Sequence, residues 1–136
     1  MLVGGNALAL QARPGGSDFA MLEYTTPRQR LSVFAGDGTL LETYGEIPGF
    51  AFAFDWTDRS HVAVLTEVSG TLRVLELELG ARGTIGSRRE LGTVERPALA
   101  LYASARRMLA VEFDRTLHVR IGRLSRGTHG NAESAR

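Results

Sequence analysis

The sequence predicts an all-β fold of three successive four-stranded antiparallel meanders, and three observations predict it. Short apolar runs alternate with polar positions at period two, clusters of Gly, Pro, Asp, Asn and Ser separate them, and the pattern recurs along the chain. The clearest unit is 51–77, AFAFDWTDRSHVAVLTEVSGTLRVLEL, with runs at Phe52–Phe54, Val62–Leu65 and Leu72–Leu77. Upstream, Leu8–Leu10, Phe19–Met21 and Leu31–Val33 match these runs; downstream, Leu99–Leu101, Leu109–Val111 and Leu117–Val119 do. The middle alanine of the second run recurs after 43 and then 47 residues, and the leucine of Leu-x-Val after 41 and then 45. A period of forty-odd residues suits a four-stranded repeat.

In the first unit, 7–11 is a strand and Pro14-Gly15-Gly16 reverses the chain, since proline fixes one φ and glycine frees the next. Residues 19–24 and 30–34 form the second and third strands. Asp37-Gly38 is a strong hairpin signal, and the polar run 39–44 is an outer strand. Unit two repeats this order, with 81–88 as a long polar hairpin and 89–93 as its outer strand. Unit three supplies 98–102, 108–113 and 116–121. Its outer strand is expected to be missing, because 125–136, SRGTHGNAESAR, lacks apolar periodicity and reads as a disordered tail. One domain over 1–124 is expected, with repeats at about 7–44, 50–93 and 97–121.

The expected core is Leu8, Leu10, Phe19, Met21, Leu31, Val33, Phe52, Phe54, Val62, Val64, Leu72, Val74, Leu99, Leu101, Leu109, Val111, Leu117 and Val119. Ala20, Ala63 and Ala110 are expected where neighbouring sheets approach closely.

A chain of 136 residues, 43% hydrophobic, is sized for one domain with a real core. Sixteen basic and fifteen acidic residues give a net charge of +1, with no pull toward nucleic acid or an anionic membrane. Every basic residue is arginine, a bias that a GC-rich coding sequence explains better than sixteen bidentate contacts. Without cysteine there is no disulfide, thiolate metal site or cysteine nucleophile. The N-terminal stretch MLVGGNALALQARPGG matches neither a signal peptide nor a membrane span, so a cytoplasmic location is expected.

The run Phe54-Asp-Trp-Thr-Asp-Arg-Ser-His-Val-Ala-Val, followed by Ser69-Gly-Thr-Leu-Arg-Val-Leu-Glu-Leu, resembles the blade pattern of WD40 and YVTN-like β-propellers over roughly residues 7 to 121. The resemblance implies that the meanders are arranged as propeller-like blades. The Gly-His and Trp-Asp pairs of true WD40 repeats are absent, and Trp56 stands in the first turn instead. Closed propellers have four or more blades, so three imply completion by copies of the chain, a homodimer first, or by another protein partner.

No Gly-rich phosphate loop, Gly-x-Ser-x-Gly or His-Glu-x-x-His occurs, and no catalytic residue, metal or cofactor is expected. His61 with Asp55 or Asp58 could hold a metal or act as a base; a solvent-facing strand residue is the plainer reading. Trp56, Asp58 and Arg59 form the most distinctive polar patch. Trp56 and Arg59 are apt types for a binding hot spot, while as structure Trp56 covers the sheet end and Asp58 caps the turn. Glu46 and Glu95, the latter followed by Arg96, precede prolines at equivalent crossings and read as loop solubility or a shared ligand site. The function expected first is a non-enzymatic protein–protein interaction or scaffold module. The alternative is a small-ligand or hydrolase-type site at the centre of an oligomeric propeller, where Glu46 and Glu95 converge on a cation or sugar. A third is a remnant of a larger propeller.

Overall fold

The computed structural model describes residues 6–25, 28–94, 98–104, 107–114, 116–123 and 133–135, with side chains described over 7–24, 28–94, 101–104 and at Met108. The first sheet comprises β1 (Asn6–Ala12), β2 (Phe19–Thr25), β3 (Arg28–Phe34) and β4 (Leu40–Tyr44). The second comprises β5 (Phe50–Trp56), β6 (His61–Val68), β7 (Thr71–Leu79) and β8 (Ile85–Val94), with a 3-10 turn at Ala81–Gly83. Then come β9 (Ala98–Ala103), β10 (Arg107–Asp114), β11 (Thr116–Arg123) and β12 (Glu133–Ala135). The protein is all-β, and each group of four pairs in chain order as an antiparallel meander.

The β5–β8 sheet is central. On β6, Val62 and Val64 pack in one cluster with Ala20, Leu22, Leu31, Val33 and Tyr44 of the first sheet. Ala63 and Leu65, on the opposite face, pack in a second cluster with Leu101 and Met108. A strand buried on both faces has no polar side to show, which is why His61–Thr66 reads as a nearly unbroken apolar run. Ala20 and Ala63 are fully buried between sheets, as expected. The register puts Ala63 across from Asp55 but Leu109, not Ala110, across from Tyr102, because the β9–β10 connection is a residue shorter than the β5–β6 connection.

Strands β1, β5 and β9 lie side by side, each at the end of its own meander. Each is bulged once: the register skips Leu8 in β1, Phe52 in β5 and Leu99 in β9. A bulge leaves its extra residue out of the ladder. Phe52 is therefore 45% exposed although Phe54, two residues on, is buried; Leu8 is 42% exposed, and neither is core as expected. Leu10, 58% exposed, is also not core; it pairs beside Met21 on the face of the first sheet turned away from the second, whereas its counterpart Phe54 is buried against the first sheet. Phe19, Met21 and Leu72 are half-buried, while the side chains of Leu99, Leu109, Val111, Leu117 and Val119, like that of Ala110, lie outside the described residues.

Two further differences concern outer strands. The third meander does not end at β11, because Glu133–Ala135 returns and pairs with Ile121–Arg123. A polar run with no apolar period can still add three rungs to an edge, since ladder hydrogen bonds need only backbone. Those three residues form a strand within 125–136, so the expected disordered tail does not hold for them. Strand β8 begins at Ile85 and not at 89, its register slipping twice against β7 to absorb the extra residues.

Side chains join the sheets. The Gln29 amide donates to the Ala51 carbonyl at 2.6 Å and accepts from the Ala51 N–H at 2.7 Å, so one side chain completes both backbone groups at the free edge of β5. Gly49, just before that strand, has φ +65°, and a Cβ there would sit on the Glu67 carbonyl. At the far end, the Tyr44 hydroxyl donates to the Gly80 carbonyl at 2.9 Å. No helix among the described residues is long and apolar enough to cross a membrane.

Candidate functional site

The segment 55–59 leaves β5 and turns into β6 where the three meanders meet. Its local form follows from Asp58. Its Oδ1 accepts the Ser60 N–H at 2.8 Å, an Asx turn that lets the chain reverse within four residues. The Thr57 N–H reaches the His61 carbonyl at 2.9 Å and closes the loop. Thr57 itself is buried, and its hydroxyl donates to Glu76 Oε2 at 2.8 Å, while Arg89 donates to Oε1 at 3.1 Å.

Trp56 is 1% exposed and reaches toward the first sheet, its Nε1–H donating to the Gln11 carbonyl at 3.1 Å. The Arg13 guanidinium lies 5.0 Å from the indole centroid, a cation–π distance. Arg13 Nε donates to the Arg59 carbonyl at 2.7 Å, and Arg59 Nη1 donates to the Pro14 carbonyl at 2.6 Å. The two arginines thus cross-brace the turns of the first and second meanders. Asp55 faces the other way: Oδ2 accepts the Ala103 N–H at 2.8 Å and Oδ1 the Trp56 N–H at 2.8 Å. Burial pushes the Asp55 carboxyl above the ordinary carboxylate range, against the pull of those two hydrogen bonds.

Between these turns lies an open cleft of about 450 Å³, lined by Pro14, Trp56, Asp58, Arg59, Ala103 and Ser104 among others. The structure thus brings Trp56, Asp58 and Arg59 together. Glu46 is exposed on the crossing from β4 to β5 and does not line the cleft; Glu95 and Arg96 lie outside the described residues.

The cluster's chemistry is set by which atoms face each other. His61 Nδ1 lies 2.9 Å from Asp58 Oδ1 and 3.3 Å from Ser60 Oγ, so the acid and the hydroxyl share one ring nitrogen. A hydrolytic relay needs them on opposite nitrogens, so that the imidazole can pass a proton between them. The other nitrogen, Nε2, is 3.5 Å from Glu78 Oε2. Among the described residues no group of three His, Cys, Asp or Glu could hold a metal ion.

Sequence reasoning missed Asp55 as the tie to β9, Arg13 as a tie to the turn at Arg59 and Gln29 as a tie to β5. Their signal is weak, since each acts through a backbone group more than forty or twenty residues away. Compared with known proteins, the chain matches no family model and no curated sequence.

Proposed function

We propose that this chain is a non-enzymatic protein–protein interaction module whose three meanders act as propeller-like blades and which is completed by a binding partner or a further copy. One observation carries the reading. Among the described residues, large apolar side chains are left exposed at Leu8 and Leu10 on β1, Phe50 and Phe52 on β5 and Tyr102 on β9, three neighbouring strands, and at Leu40 and Leu41 on β4. The matching bulges at Leu8, Phe52 and Leu99 support a repeated unit, and the burial of the central sheet on both faces supports blade-like stacking. Soluble monomers rarely gather large exposed apolar groups without a use for them.

The 55–59 segment then serves mainly as the joint between blades, its polar groups spent on the Gln11, Pro14 and Ala103 backbones. A second reading, a small-ligand site, is favoured by the cleft beside that joint, where the half-buried Asp55 carboxylate and the Trp56 ring lie together. The WD40 and YVTN-like resemblance, the absence of a cofactor and a cytoplasmic location belong to the same proposal.

The test is sedimentation at micromolar concentration together with affinity capture from the native cell extract. A mass above the 14.7 kDa of one chain, or a stoichiometric captured protein, supports the module. A concentration-independent monomer that captures nothing overturns it.

A further inference from the structure

We infer that the cleft where the turns of the meanders meet binds an organic cation, an ammonium or guanidinium group on a short apolar stem, with the Asp55 carboxylate as its partner. This rests on the second reading above, a small-ligand site, and names the chemistry of its ligand.

Three charged residues line the cleft, the acids Asp55 and Asp58 against one base, Arg59, so its formal charge is negative. Asp58 and Arg59 are taken up by the fold. Asp58 accepts the Ser60 N–H at 2.8 Å and lies 2.9 Å from His61 Nδ1, and Arg59 donates to the Pro14 carbonyl at 2.6 Å. The Thr57 hydroxyl is turned to Glu76, and the Trp56 indole N–H to the Gln11 carbonyl. Asp55 differs. The N–H groups of Ala103 and Trp56 occupy one lone pair on each of its oxygens, and a carboxylate offers about four acceptor sites. Among the described residues no ion pair reaches it. Burial is the main influence on this carboxyl, opposed only by those two hydrogen bonds, and no neighbouring cation offsets it. A half-buried anion without a counter-charge costs stability. A chain that needed only a tie to Ala103 could make it with a neutral amide oxygen, and a perturbed acid lining a cleft is more at home in a binding site.

The surroundings of the carboxylate select the kind of cation. Ala12, Pro14, Gly15 and Ala103 give the cleft small, mainly apolar walls, and its volume of about 450 Å³ lies within the ordinary range of small-molecule sites. A metal ion needs several ligands, and among the described residues no group of three His, Cys, Asp or Glu could supply them. An ammonium or guanidinium asks for less, an acceptor at the charge and apolar surface along the stem. An anion would meet like charge at Asp55, and a neutral ligand would leave the carboxylate uncompensated. The two backbone donors also hold the carboxylate in place before anything binds, which keeps the ordering cost low.

Trp56 lines the cleft and is the only tryptophan of the chain, so its fluorescence reports occupancy. The full chain is titrated by fluorescence and calorimetry with n-butylammonium, n-butanol and butyrate, which share a stem and are cationic, neutral and anionic. n-Butylammonium should bind with a dissociation constant of about 1–10 mM, and the other two at least about tenfold more weakly. Asp55→Asn keeps the shape, removes the charge and should weaken n-butylammonium at least about tenfold. Glu67→Gln, at an exposed acid outside the cleft, should leave it unchanged. Because Asp55 also holds the Ala103 N–H, Ala12→Leu is the second variant: Ala12 is exposed at the end of β1 and lines the cleft, so the larger side chain narrows it without touching that tie. It too should weaken binding. A capped Gly-Lys-Gly peptide then identifies the source of the cation. Binding at least as tight as that of n-butylammonium assigns it to a basic side chain of a protein, and weaker binding to a free amine. Two results overturn the inference. Equal binding of n-butanol or butyrate, or n-butylammonium binding that survives both Asp55→Asn and Ala12→Leu, removes the cation at Asp55 while leaving a small-ligand reading. No heat or fluorescence change with any probe up to about 30 mM removes the site as well.

Discussion

Replacing Gln29 by methionine isolates the joint between the first and second sheets. Methionine keeps the length and most of the volume of glutamine, so the packing loss should be small. What disappears is the amide that satisfies the Ala51 N–H and C=O at 2.7 and 2.6 Å. Ala51 is fully buried and Gln29 only 8% exposed, so solvent has no ready route to either group. An orphaned buried donor or acceptor costs about 1–3 kcal/mol. Two of them together predict a loss of roughly 2–6 kcal/mol, a large fraction of the ~5–15 kcal/mol by which domains are stable. The assay is urea unfolding, reading the midpoint at an unchanged slope, with hydrogen exchange at the Ala51 amide as a local check. The exchange matters because it separates this cause from a general loosening: Ala51 should lose protection first. A midpoint within about 0.5 kcal/mol of wild type, with the Ala51 amide still protected, would refute the idea that this side chain seals the edge of β5.

Gly49→Ala should destabilise the fold by at least about 1–3 kcal/mol, the usual cost of a non-glycine residue held in a left-handed conformation, because its Cβ would also collide with the Glu67 carbonyl; thermal unfolding checks it. Ala63→Leu should cost about 1–3 kcal/mol by overpacking, since Ala63 is fully buried where the central sheet meets Leu101 and Met108; a neutral result in the same unfolding assay would mean the neighbouring meander is not packed there. The Asp55 carboxyl is raised from its ordinary 3.8, by burial first, so the folded state holds its proton more tightly than the unfolded chain does. Its contribution to stability therefore falls as pH rises from about 3.8 through the raised value and is flat above it. The stability of wild type relative to Asp55→Asn, measured by urea unfolding from pH 3 upward, should decline across that window and nowhere else; a rise there would reverse the assignment.

The strands were legible because their cause is local. Alternation in Leu72–Leu77 and the unbroken run in Val62–Leu65 report directly how many faces of each strand are buried. The bulges were not legible, and one of them accounts for the misplaced Phe52. Leu8-Ala-Leu10 and Phe52-Ala-Phe54 look like the same inward alternation as any other strand, and nothing in either triplet says that its first member is pushed out of the ladder. Leu10 fails for a different reason: the same position is core in the central sheet and exposed in the first, so its fate depends on a neighbour and not on its own strand. The short strand Glu133–Ala135 carries no signal because a polar edge strand needs none.

The candidate site shows the same division between local and remote causes. Asp58 as a turn cap follows from its own spacing to Ser60, and the structure bears that out at 2.8 Å. The partners of Trp56 and Arg59 do not follow from spacing, because both lie in the first meander, at Gln11 and Pro14. What looked like a hot spot is largely occupied from within: an indole with its N–H bonded and its face under Arg13 has little left to offer a partner. The apolar residues with surface to spare are elsewhere, among them Leu8, Leu10, Phe50 and Phe52. A residue whose hydrogen bonds and area are already used holds the fold together. One whose apolar side chain is left exposed is where an apolar contact should be sought, and in this chain that distinction moves the search from the polar turn to the exposed apolar residues of β1 and β5.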